Sequence, residues 1–286
     1  MRCQPSPARA TRLPLSSFAV VAAAIAIASL AGCTAFLDGP NAPVARRAAA
    51  LLPADALILG EQHDAAEHHA IERETVEALA SQGKLAALLL EMAEEGNNTA
   101  RLDTAATDAQ VQAALGWNDK AWPWKSYGPV VMAAVRAGVP VIGANLPRAR
   151  MKNAMTDVSL DVQLNGEAYT AQQDAVREGH CKLLPEPQIV PMTRIQVGRD
   201  RAMAQAIVKA RQPGKTVLLI SGAGHATKVL GVPQHLPTDV SVKAVRLQAG
   251  ESPDEDEDNK GAYDAVWRTP AMPPKDYCAD IVKRTS

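Results

Sequence analysis

The chain has 286 residues, 47% of them hydrophobic, with 30 basic and 31 acidic side chains. A net charge of −1 supplies no basic face for nucleic acid. The length allows one sizeable core, with room for an inserted subdomain.

Arg2, Arg9 and Arg12 form a positive n-region without an acid, ahead of the apolar run Phe18–Leu30. At 13 residues that run is shorter than the roughly 20 needed to cross a bilayer, so it reads as a secretory signal. It ends Leu30-Ala31-Gly32-Cys33, which resembles the lipobox of bacterial lipoproteins. The resemblance implies cleavage after residue 32 and acylation of Cys33, of the palmitate kind, with the lipid bilayer as a partner. Thr34 rather than aspartate follows, which favours the outer membrane, facing the periplasm. The expected organisation is a signal over 1–32, a lipidated tether over 33–45 and one domain over 46–286. The mature chain keeps 27 basic residues against 31 acidic ones. Cys3 leaves with the signal, so Cys181 and Cys278 remain in an oxidising compartment and are expected to form a disulfide.

A short helix is expected at Ala45–Leu52, then a buried strand at Ala56–Leu59, a helix at Ala66–Gln82 stopped by Gly83, and a second strand from Leu85 to Met92. Strand, helix and strand make a right-handed βαβ unit. Residues 94–128 break the rhythm and read as a helical insertion. The helix Pro129–Ala137 and the strand Val139–Gly143 follow. A second helical insertion is expected over about 150–195, then the helix Asp200–Arg211 and the strand Thr216–Ile220. Val240–Leu247 and Ala262–Trp267 read as a final strand pair around the acidic, solvated stretch Glu251–Asp258. The fold class is α/β: a parallel sheet flanked by helices, with an inserted helical subdomain.

The strand ends carry the chemistry. Glu61 and His63 follow the first strand, Glu91 the second, Asn145 and Arg148 the third, and His225 the fourth. The carboxyl edge of a parallel sheet would bring these together, where such folds place their ligands. Glu61, His63, Glu91 and His225 could hold a divalent metal that activates water, or Glu61 or Glu91 could act as a general base. His68 and His69 do not share a helical face with His63 and read as part of an exposed amphipathic helix. Trp117, Trp122, Trp124 and Tyr127 crowd into one stretch with Lys120 and Lys125 between them. That patch suits a flat apolar ligand bearing carboxylates, with lysines for the acids and a phenol for ferric iron.

Leu59-Gly60-Glu61-Gln62-His63-Asp64 resembles the opening motif of the ChaN-like haem-binding lipoproteins, within the wider Tiki, TraB and erythromycin-esterase group. Further pieces resemble theirs in order: Leu90-Glu91-Met92, the Trp-rich stretch into Tyr127, Asn145-Leu146-Pro147-Arg148, His180-Cys181, Arg199-Asp200, Gly222-Ala223-Gly224-His225 and Tyr263-Asp264-Ala265-Val266-Trp267. The resemblance covers roughly Asp55 to Cys278. It implies a haem-binding protein of iron acquisition and transport, with a ferric haem pocket completed by a second protomer of a homodimer. It further implies a tyrosine iron ligand, best matched by Tyr127 with Tyr169 as the alternative. A histidine, His63 or His225, and a lysine, Lys125 or Lys182, would meet the propionates. An outer-membrane haem or siderophore receptor is a partner by analogy. The alternative function is a metal-assisted hydrolase of the Tiki or erythromycin-esterase type.

Overall fold

Every residue of Ala56–Glu61 is buried, as a strand covered on both faces requires. The computed structural model describes residues 42–251 and 260–279. The signal, Cys33 and most of the acidic stretch Glu251–Asp258 lie outside the described residues. In chain order the elements are α1 (Val44–Ala50), β1 (Ala56–Glu61), α2 (Ala66–Ser81), β2 (Leu85–Glu94), α3 (Asp108–Leu115), α4 (Trp124–Arg136), β3 (Val141–Asn145), α5 (Arg148–Thr156), α6 (Gly166–Gly179), α7 (Glu186–Ala210), β4 (Thr216–Gly222), α8 (Ala223–Ala226), β5 (Val242–Ala249) and β6 (Ala265–Thr269).

The strands form one sheet in the order β3-β2-β4-β1-β5-β6, and every pairing is parallel. The α/β parallel sheet read from the apolar runs is therefore the observed one. One face carries the larger core, with Leu57, Leu59, Leu88, Leu90 and Ile220 packed against Val76 and Leu79 of α2 and Val130 and Val131 of α4. The other face buries Ile58, Leu89 and Leu219 against Met203 and Ile207 of α7. A third cluster, Leu146, Leu160, Leu164 and Val197, holds the helical insertion on α7. Cys181 and Cys278 are disulfide-bonded across 97 residues, tying the tail to that insertion.

Two helices begin earlier than their sequence suggests. α4 starts at Trp124 with Pro129 inside it, and α7 starts at Glu186 with Pro191 inside it. A proline deletes one hydrogen bond and crowds the preceding turn. Here buried neighbours offset that cost: Tyr127, Val130 and Val131 in α4, and Ile189, Thr193 and Ile195 in α7. Gly60 lets α8 lie directly on β1. A Cβ there would stand 2.7 Å from Ala226 Cβ and 2.9 Å from Ala223 Cα. Among the described residues no helix is long and apolar enough to cross a membrane.

Candidate functional site

The strand order decides which side chains meet. β2, β4 and β1 are neighbours, so Glu91, the His225 turn and the Glu61–His63 exit converge at one carboxyl edge. β3 adds Asn145, whose Nδ2 donates to the Glu91 carbonyl at 2.8 Å. These groups bound a cleft of about 630 Å³, within the range of ligand sites, with Trp122, Met92, Leu146 and Met151 on its apolar walls and Arg148, Gln196 and Arg199 at the insertion side.

The floor of the cleft is a row of alternating acids and imidazoles. Asp200 Oδ1 lies 2.6 Å from His225 Nδ1. His225 Nε2 stands 3.5 Å from Glu91 Oε1, and Glu91 Oε2 stands 3.9 Å from His63 Nε2. His63 Nδ1 is 2.8 Å from Glu61 Oε1. Glu91 Oε2 also accepts the Gly222 N–H at 2.8 Å. A Cβ on Gly222 would stand 3.0 Å from His63 Nε2, so a bare backbone is what lets β4 approach this pair.

Electrostatics follow from burial and neighbours. Burial would raise the Glu91 carboxyl, but His225, His63 and the Gly222 N–H outweigh it and hold it far below the carboxylate range. Burial would likewise lower His225, yet Glu91 and Asp200 beside it push it up to about 10. Asp200 itself is raised, because its burial outweighs the attraction of His225. The two shifts pull against each other; the 2.6 Å contact, closed at both ends by acids, favours the charged imidazole. Burial would lower His63, but Glu61 and Glu91 raise it above its ordinary value. Burial would raise Glu61, but the hydrogen bond from His63 and the His69 imidazole beside it hold it at about 2.

Tyr127 is placed differently from the sequence expectation. Its side chain is 1% exposed and its hydroxyl donates to Glu61 Oε1 at 2.8 Å. His69, Trp117 and Trp122 enclose the ring, with centroids at 4.7, 5.9 and 6.0 Å. Burial first, and the Glu61 charge second, push its phenol far above the ordinary value. The phenol thus points to Glu61 and is enclosed rather than open to the cleft, and the tryptophans pack around it. Tyr169 is half-buried, and its hydroxyl donates to Asp161, which Arg194 clamps through two bonds. Lys125 and Lys182 do not line the cleft, and Lys182 pairs with Glu178 on the surface at 3.0 Å.

His68 and His69 correct a second expectation. They are 0% and 9% exposed, not on a solvated face. His68 Nδ1 accepts the Gln62 N–H at 3.0 Å, and burial lowers it to about 4, so it serves as a neutral local cap. His69 turns toward Glu61, with Nε2 3.2 Å from Oε2. Glu72, one turn further along α2, is 0% exposed. Its burial and the adjacent Glu61 raise its carboxyl well above the usual range. Sequence reasoning had Asp200 only as part of a family-like motif, not behind His225, and missed the tail residues Lys275 and Tyr277, which reach Asp64 at 2.7 and 3.0 Å. The one sequence signal for the first group was the i, i+3 spacing of His69 and Glu72.

A family model described as haem-binding uptake, Tiki superfamily, ChaN, matches residues 47–236. A solved structure described as cofacial heme binding to ChaN of Campylobacter jejuni is similar at 25% identity and a TM-score of 0.64, covering 77% of this chain and 89% of that one. A Bacillus cereus protein of solved structure is 13% identical with a TM-score of 0.40, covering 75% of this chain and 71% of its own. No curated protein matches the chain. The matched span takes in β1 through β4 and each acid and imidazole of the cleft floor, and the chain belongs to the ChaN family of haem-binding uptake proteins in the Tiki superfamily.

Proposed function

We propose that the chain binds ferric haem at the cleft, as a lipid-anchored homodimer of the bacterial envelope. The observation that carries this reading is the composition of the cleft: apolar walls from Trp122, Met92, Leu146 and Met151, with Arg148 and Arg199 on one side. Apolar walls suit a porphyrin face, and guanidinium groups suit propionates, which they can bind through two parallel hydrogen bonds. The bound group supplies the iron that the protein carries; the chain's own residues bind and orient it.

A tyrosinate ligand must come from a phenol that solvent reaches. Tyr277, with its hydroxyl on Asp64 at 3.0 Å, is 44% exposed, whereas Tyr127 is enclosed and Tyr169 is half-buried. The disulfide at Cys278 fixes Tyr277 beside Asp64, next in sequence to His63 of the cleft. A hard oxygen donor of this kind suits ferric iron. The cofacial heme binding described for the Campylobacter jejuni protein supports a homodimer, in which that phenol can serve the partner's cleft as well as its own. The lipobox-like Leu30-Ala31-Gly32-Cys33 supports an anchor at Cys33 and an outer-membrane position facing the periplasm. Uptake through an outer-membrane haem or siderophore receptor is the partner this position would serve.

The rival hydrolase is less well supported. General acid–base chemistry wants groups poised near the working pH. In the metal-free version, His225 is pushed up to about 10 and Glu91 is held far below the carboxylate range, an ion pair that makes Glu91 a weak base.

The test is a haemin titration of the domain with Cys33 replaced, followed by absorbance and by mass. Saturable binding with dimerisation is expected, with the tyrosinate spectrum lost in Tyr277→Phe and kept in Tyr127→Phe and Tyr169→Phe. Absence of saturable binding would overturn the function. An unchanged spectrum in Tyr277→Phe would overturn the ligand.

A further inference from the structure

Behind the cleft floor lies a second polar cluster that haem binding does not use. Glu61 comes from the end of β1, and His69 and Glu72 come from one face of α2. One ligating atom from each can be chosen so that all lie within 4.8 Å of one another. His69 Nε2 and Glu61 Oε2 are already 3.2 Å apart.

Each of these groups has at least one polar atom without an ordinary partner. Among the described residues, Glu61 Oε2, His69 Nε2 and both carboxylate oxygens of Glu72 are buried without a hydrogen bond. A single buried unsatisfied polar atom costs about 1–3 kcal/mol, so four converging on one point require an explanation. A proton shared between Glu72 and Glu61 removes one charge and pairs one oxygen of each, but leaves the other Glu72 oxygen and His69 Nε2 without a partner. A divalent ion neutralises both carboxylates and engages the imidazole in one step.

The surroundings are also those of a metal site. The other oxygen of Glu61 is fixed by His63 Nδ1 and the Tyr127 hydroxyl, each at 2.8 Å. Outer contacts of this kind orient a ligating carboxylate. The Tyr127 ring lies 4.7 Å from the His69 ring and limits its rotation. One imidazole and two carboxylates suit zinc, with manganese and cobalt as chemically close alternatives.

We propose that Glu61, His69 and Glu72 form a buried site for a divalent transition-metal ion, zinc in the first instance. The ion pins β1 to α2 and, through Glu61, fixes His63 at the cleft. The site is distinct from the haem iron and does not depend on haem binding.

The test uses the whole mature domain, with Cys33 replaced, purified without chelator. Metal analysis should give about one zinc per chain, and chelation should lower the melting temperature, as for ions that bind only the folded state. Stripped protein should take up Zn²⁺, and Co²⁺ should report its ligand field by visible absorption. Glu72→Gln, which keeps shape and can fold with a neutral amide, should weaken Zn²⁺ binding by about 1000-fold or more, beyond the roughly 10–100-fold that loss of an outer contact gives. His225→Gln should leave binding unchanged. Two results would overturn the proposal. One is stripped protein that takes up neither Zn²⁺ nor Co²⁺ while remaining folded, which leaves a shared proton between the two glutamates. The other is binding that survives Glu72→Gln but is lost in His225→Gln, which moves the ion to the cleft. Haem titration runs separately, so either failure is distinct from failure of the haem reading.

Discussion

Removing the disulfide by Cys181→Ser with Cys278→Ser tests how the tail is held. The bond closes 97 residues of chain. Loop-closure entropy for that length gives roughly 4–5 kcal/mol of stabilisation. The other contacts of the tail near β1 include the Lys275–Asp64 ion pair at 2.7 Å and the Tyr277 hydroxyl, which donates to Asp64 and accepts from Gln62 Nε2 at 2.9 Å. Both are partly exposed, and such pairs are worth about 0–1 kcal/mol. They cannot replace the covalent link. Urea denaturation should therefore show a loss of about 4 kcal/mol, and the melting temperature of a domain this size should fall by roughly 8–16 °C. Reduced wild-type protein should match the double variant. A loss below about 1 kcal/mol would refute the reasoning, because the unfolded chain would then gain little freedom from the cut.

Gly60→Ala should destabilise by about 1–3 kcal/mol, since its Cβ meets Ala226 and the backbone at Ala223 and neither can yield without moving α8; a neutral effect in urea denaturation would show that α8 is not packed on β1. Asp200→Asn should act through His225. The folded imidazole sits at about 10, above its unfolded value, so its contribution is complete below the unfolded value and fades as pH rises through 10. The variant lowers that folded value, so its loss of stability should be smaller than in wild type and should end at a lower pH. At about pH 6 it should be roughly 1–3 kcal/mol less stable, reduced by the relief of Asp200's own burial. Denaturation midpoints that fall in parallel for both proteins between about pH 6 and pH 10 would sink this account.

The sheet was legible because strands buried on both faces must be apolar throughout. Ala56–Leu59, Leu85–Leu90 and Thr216–Ile220 show it without help from periodicity. The strand-end groups were legible for the same reason: each polar residue directly after such a run marks the carboxyl edge. What was not legible depends on packing between distant elements. α2 carries charges around much of its surface, so nothing local shows that the His69 and Glu72 side turns toward Glu61. Asp200 resembles any surface acid of a helix until α7 is laid under the sheet edge. The crowding of Trp117, Trp122, Trp124 and Tyr127 was visible, but the direction of Tyr127 was not. That direction is set by α4 beginning at Trp124, whose backbone N–H is fixed by Asp119 and whose indole donates to Asp108.

The charge pattern of the cleft fixes how an anionic porphyrin would enter. The floor holds Asp200, Glu91 and Glu61 against the two imidazoles of His225 and His63, so with both imidazoles charged it keeps one net negative charge. Propionates directed at that floor would meet a carboxylate row that its own imidazoles already occupy. Arg148 and Arg199 lie on the insertion side of the same cleft, and Arg199 Nε is buried without a hydrogen bond among the described residues. An unpaired guanidinium nitrogen beside an apolar wall favours an incoming carboxylate there. Arg199→Gln should then weaken haemin binding by roughly 10–100-fold, the worth of one hydrogen bond to a charged group. It should leave the dimethyl ester of the same porphyrin, which carries no propionate charge, bound as in wild type. Equal weakening of both ligands would mean that Arg199 shapes the wall rather than reads the acid, and the orientation argued from the charge pattern would fall.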